Sequence, residues 1–80
     1  MRWDDAVEGF WLDRRRSLSK ATQRDYALTF RRFGEWIKGG DVEKVKSSQV
    51  NRFLEYLGDE LGLSQKTVLN AWIALSSFWT

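Results

Sequence analysis

The sequence predicts an all-α domain of four helices. Its 80 residues include no proline, helix formers are abundant, and apolar residues recur at the three- and four-residue spacing of helices whose ends are punctuated by serine or glycine. Eighty residues make one small domain, able to bury only about 60–65% of the surface its unfolded chain would expose. Five Trp, five Phe and two Tyr are how so short a chain can still fill a dense core.

The first helix is expected over about 3–15, with Trp3, Val7, Phe10, Trp11 and the stem of Arg14 on one side. Arg14, Arg15 and Arg16 fall in or just after its last turn, where cations suit the negative end of the helix dipole. The second helix runs from about Lys20 to Lys38, capped by Ser19 and stopped by Gly39-Gly40. Its core stripe is Thr22, Tyr26, Phe30, Phe33 and Ile37, with Trp36 at the margin. Gly34 interrupts this helix at about 1 kcal/mol, which calls for a close approach by another helix.

The third helix starts from an N-cap at Ser47 or Ser48 and reaches about Leu61, burying Val50, Phe53, Leu54, Leu57 and Leu61. Gly62 occupies the place of a helix-terminating glycine. Ser64 caps a fourth helix over about 65–79, with Val68, Trp72, Leu75 and Trp79 as its expected core side. Lys66, Thr67, Asn70, Ala74 and Ser77 then form its outer side. No repeat or long linker divides the chain.

Several function classes are poorly served by these residues. His and Cys are both absent, removing the commonest general base, the most reactive nucleophile and any disulfide or thiolate metal site. Asp4 with Glu8, and Glu55 with Asp59, are spaced as ordinary solvated helix faces. Tyr26 and Tyr56 lie at or beside core stripes. Neither a phosphate-binding glycine loop nor another enzyme signature is present. The chain is expected not to be an enzyme by itself and to need no cofactor or metal. No apolar run approaches the roughly 20 residues of a membrane span, and a cytoplasmic setting is expected.

Binding is better supported. The net charge is only +2, but residues 1–13 carry −3, residues 14–32 carry +6 and residues 33–80 carry −1. The positive charge is thus gathered in one stretch, as in an electrostatic footprint for a polyanion. Lys20, Arg24, Arg31 and Lys38 form a stripe roughly 120–160° from the core stripe of the second helix. Phosphate oxygens are natural partners for such a ridge. The start of the fourth helix is a second candidate surface, with Lys66 and Thr67 near free backbone N–H groups. Asn70 is a residue type that reads adenine in the major groove.

The run Ser19-x-x-Thr22-x-x-x-Tyr26-x-x-x-Phe30-x-x-Phe33-x-x-Trp36 resembles the opening of the SAM-like core-binding domain of the tyrosine recombinases, the phage-integrase family. "SSQVNRFLEYLGDELGLSQKTVLNAWIALSSFW" continues the resemblance, which covers about residues 3–79. It implies a compact four-helix SAM-like orthogonal bundle forming half of a clamp around double-stranded DNA. By position it nominates Ser19, Lys20, Thr22 and Arg24, then Lys66, Thr67 and Asn70, as DNA contacts, with Arg31 added from the basic ridge. Thr22 also lies at the edge of the core stripe. The implied partners are DNA, a C-terminal catalytic domain of the same parent chain and other recombinase protomers on DNA. The family's catalytic Arg, Lys, His and Tyr have no counterparts here, and the end at "FWT" suggests a fragment cut near an interdomain linker.

Two other readings compete. "YLGDELGLSQKTVLNAWI" fits a helix-turn-helix, with Gly58 at a small-residue position, Gly62 at the turn and Val68 in the recognition-helix core. Ala71, in a slot usually filled by a larger apolar residue, speaks against it. A helical protein-interaction module is the other reading, with Ile73, Phe78 and Trp79 as a docking patch.

Overall fold

Four helices follow one another along the chain: α1 (Trp3–Arg14), α2 (Lys20–Trp36), α3 (Ser47–Asp59) and α4 (Gln65–Trp79). The computed structural model describes residues 1–38 and 40–79, and of Trp79 the backbone only. Short 3-10 turns over Arg15–Ser17 and Val42–Lys44 connect the first three helices. The described residues contain no strand, and the all-α, four-helix SAM-like bundle expected from the sequence is the observed architecture. None of the described helices is long and apolar enough to cross a membrane.

The core is largely aromatic. Trp3, Phe10, Phe30, Phe33, Phe53, Leu57, Ala71, Ala74 and Leu75 are buried together. The indole of Trp3 meets Phe33 edge-on with ring centroids 5.0 Å apart and lies tilted against Phe78 at 4.8 Å. Its Nε1 donates to the Phe30 carbonyl oxygen at 2.9 Å, so the one polar atom of this buried ring is satisfied. The same indole fills the space beside Gly34, where a Cβ would stand 2.6 Å from Trp3 Cδ1. Close approach of α1 thus accounts for a glycine inside α2.

Helix ends follow the sequence in part. Ser19 caps α2, its Oγ accepting from the Thr22 N–H at 3.2 Å, and Ser64 caps α4 through the Thr67 N–H at 3.3 Å. Gly62 has φ +65°, and the Leu63 N–H returns to the Leu57 carbonyl at 3.1 Å, closing the end of α3. α2, however, stops at Trp36, and Lys38 takes the left-handed conformation with φ 59°. The expected stop at Gly40 therefore comes too late, and Gly39 lies outside the described residues. The N-cap of α3 is Lys46, not Ser47 or Ser48. Gln49 Oε1 accepts the Lys46 N–H at 2.8 Å, so a side chain inside the helix reaches back to the residue before it.

The largest correction concerns α4. Its buried residues are Ala71, Ala74 and Leu75, with Val68 and Phe78 packed against them. Trp72, expected inside, is 49% exposed, and Ala74, expected outside, is fully buried. α4 packs against both α2 and α3, and small side chains on its inner face permit that double approach. Trp72 then falls on the flank of the interface. Leu61, assigned to the core side of α3, is likewise exposed, since α3 ends at Asp59 and the chain is already turning there. The core assignment of Trp79 falls on a side chain outside the described residues. Phe78, named as part of a docking patch, is partly buried, its ring stacking on Phe10 at 5.7 Å and meeting Phe30 at 5.5 Å.

Candidate nucleic-acid interface

α2 presents its cations as the spacing predicts. Lys20, Arg24 and Arg31 are exposed and, at 100° per residue, lie within about 40° of one another around the helix axis. Ala27 falls on the same line. The ridge rises about 16 Å from Lys20 to Arg31. Arg31 Nε meets Glu35 Oε1 at 3.4 Å, an exposed pair one turn apart of a kind that contributes about 0.3–0.5 kcal/mol. Lys20 and Arg24 take part in no ion pair among the described residues. Lys38 is exposed too, but it has left the helix.

The ridge borders α1. Trp11, Arg15, Lys20, Gln23, Arg24 and Ala27 line an open cleft of about 410 Å³ at the corner between the two helices. Trp11 and Ala27 also line the adjoining cleft, which holds Arg31 and Lys38 together with Asp4 and Glu35. A floor of half-buried indole thus runs beneath a row of cations, most densely basic at the Lys20 end.

The arginine triplet divides its labour. Arg14 turns inward, its Nη1 donating to the Ser77 carbonyl at 3.1 Å while its guanidinium lies 5.6 Å from the Phe10 ring centroid. It ties the end of α1 to the end of α4. Arg15 turns the other way, with its guanidinium 5.6 Å from the centroid of Trp11. Gln23 Nε2 donates to the carbonyls of Arg15 and Leu18, both at 2.9 Å, and so fixes the corner between α1 and α2. Arg16 is exposed. The sequence places Arg14–Arg16 just before the ridge but reads Trp11 as a core residue only; its i, i+4 spacing to Arg15 is the signal for its place on this surface.

The remaining nominated residues fall into two groups at two helix starts. Ser19 and Thr22 are joined, Ser19 Oγ donating to Thr22 Oγ1 at 2.9 Å. Ser64 and Thr67 repeat the arrangement at the head of α4, with their hydroxyl oxygens 3.0 Å apart. Each pair shares the chemistry of a helix cap, and Thr22 is half-buried as its place at the stripe's edge predicts. Lys66, Thr67 and Asn70 are all exposed and occupy one side of the first two turns of α4. The two groups stand at the starts of two different helices, α2 and α4.

No group of three or more potential metal ligands occurs among the described residues. Asp41 lies in the connection between α2 and α3. Its carboxyl is held below the ordinary value by the Glu43 backbone N–H it accepts and by the Met1 amino group beside it.

A four-helix SAM-like bundle with an exposed basic ridge on its second helix is consistent with the N-terminal helical domains of phage integrases as a class. The chain belongs to that class by direct comparison: the family described as phage integrase, N-terminal SAM-like domain, matches residues 11–80. No curated protein and no solved structure gives a significant match to the chain. Family membership also absorbs the helix-turn-helix reading. Gly58 does pack near Val68, whose Cγ2 lies 3.9 Å from where a Cβ would be, but α3 and α4 are two helices of the integrase domain.

Proposed function

We propose that this domain grips double-stranded DNA as one half of a clamp, serving site-specific recombination carried out by a separate catalytic domain. The observation that carries the reading is the exposed line Lys20–Arg24–Arg31 on a domain of the phage-integrase family. These three act on phosphates, and Lys66, Thr67 and Asn70 lie nearest the bases. Ser19 and Thr22 flank the backbone and hold the helix start in place. In this reading, cleavage and joining belong to the catalytic domain of the parent chain. Other protomers assemble on the same DNA.

Anisotropy of a labelled duplex, titrated at about 50 and about 200 mM salt, tests this reading. Isolated binding of about 1–100 μM at physiological salt is expected, tightening sharply as salt falls. Absence of binding at low salt would overturn it.

A specific observation favours a protein contact in addition. Leu69, Trp72 and Ile73 are 56%, 49% and 41% exposed on one flank of α4, an apolar strip suited to the catalytic domain or a neighbouring protomer.

A further inference from the structure

We propose that the corner between α1 and α2 is a built seat for one stretch of DNA sugar-phosphate backbone. Arg15, Lys20 and Arg24 hold the phosphate, and Trp11 and Ala27 receive the deoxyribose. The proposal rests on the DNA-binding reading above and deepens it, because it brings α1 into an interface otherwise confined to α2 and α4.

Three features of the cleft point to that ligand. The first is charge: Arg15, Lys20 and Arg24 surround one opening, and none of them forms an ion pair among the described residues. Cations left without carboxylates keep their full attraction for an external anion. The second is the floor. Trp11 is half-buried, held edge-on by Phe10 at 5.2 Å and Phe30 at 5.8 Å, and Ala27 lies beside it. A purely ionic ligand has no use for an apolar floor beneath three cations. A phosphodiester carries both parts, a charged phosphate and an apolar sugar edge.

The third feature is preorganisation. The Arg15 guanidinium already rests over Trp11 at 5.6 Å, and Gln23 locks the carbonyls on either side of the corner. A side chain ordered before binding loses less freedom when the ligand arrives. The start of α2 adds the positive end of its dipole to the same place. Arg14, in contrast, is spent on Ser77 and Phe10, so the triplet contributes one tether and one ligand-facing cation at successive positions.

The test compares duplex titrations of the wild-type chain, Arg15→Gln and Lys44→Gln over 50–200 mM salt. Lys44 is exposed in the turn before α3 and serves as a control of equal charge. Loss of one phosphate contact lowers the slope of log affinity against log salt by about 0.9. The affinity gap between wild type and Arg15→Gln should therefore narrow about 3.5-fold across that salt range, while Lys44→Gln keeps the wild-type slope. In parallel, the difference in emission between wild type and Trp11→Phe isolates Trp11, and it should shift when duplex saturates the protein. That readout uses a variant that retains a ring at the site.

Wild-type affinity and slope in Arg15→Gln, an equal loss in Lys44→Gln, or a Trp11 signal indifferent to saturating duplex would each overturn the seat while leaving the DNA-binding reading intact. A wild-type chain that fails to bind at low salt would bring down both.

Discussion

The indole of Trp3 occupies the volume that any side chain on Gly34 would need. A Cβ there would stand 2.6 Å from Cδ1 and 2.7 Å from Nε1, and the indole cannot retreat, being 2% exposed and hydrogen-bonded to the Phe30 carbonyl. Gly34→Ala would add about 0.5–1 kcal/mol of helix propensity. Overpacking of this kind costs about 1–3 kcal/mol, so the expected sign is destabilising. Chemical denaturation should give a net loss of about 1 kcal/mol; a gain would mean that α1 can slide off α2 without penalty.

Lys38 presents the opposite case. It is exposed and sits at φ 59°, where a side chain bearing a Cβ is disfavoured by about 1–2 kcal/mol. Lys38→Gly relieves that strain at an exposed position. The variant should melt several degrees higher, since about 1 kcal/mol moves the midpoint of a domain this size by about 4–8 °C. An unchanged or lower midpoint would show that the turn after α2 is not strained.

Asp41 makes stability depend on pH in one direction. It accepts the Glu43 N–H at 2.9 Å and pairs with the Met1 amino group at 3.2 Å, and its folded pKa lies below the ordinary 3.8. The folded state therefore binds this proton less readily than the unfolded chain does. The resulting stabilisation is fully present above about pH 3.8 and is lost as pH falls through the lower folded value. Wild type should melt above Asp41→Asn at pH 6, and the difference should shrink as the solution is acidified below pH 4. A constant difference would remove the ionised carboxylate as its cause.

The sequence carried much of this structure because its strongest signals are local. Ser19, Ser64 and Gly62 perform the cap and stop chemistry their residue types announce. The stripes of α1 and α2 bury Trp3, Phe10, Phe30 and Phe33 as their spacing requires. Reasoning from size failed at α4, where Ala71 and Ala74 take the core and Trp72 does not. Periodicity gives a helix's period, but its phase depends on how near the neighbouring helices lie, and only packing sets that. The candidate interface follows the same division. A ridge within one helix was legible, whereas the opposite turns of Arg14 and Arg15 depend on Ser77, Phe10 and Trp11, which only the folded chain brings to them.

The two nominated groups should separate by the kind of binding they support. Replacing Lys20, Arg24 and Arg31 together with Ala should weaken affinity for every duplex alike and lower the salt slope by about 2.7, about 0.9 for each cation lost. Folding should change little, because all three are exposed and only Arg31 has an ion-pair partner among the described residues, the equally exposed Glu35. Asn70→Ala should behave differently. A base contact is worth about 1–3 kcal/mol of discrimination, so this variant should narrow the spread of affinities across a panel of duplexes while keeping the wild-type slope. Lys66 lies one turn earlier on the same side of α4, and Lys66→Ala should combine a smaller slope with reduced discrimination. If Asn70→Ala leaves the ranking of duplexes untouched, the start of α4 touches backbone only, and the base-reading role proposed for it falls.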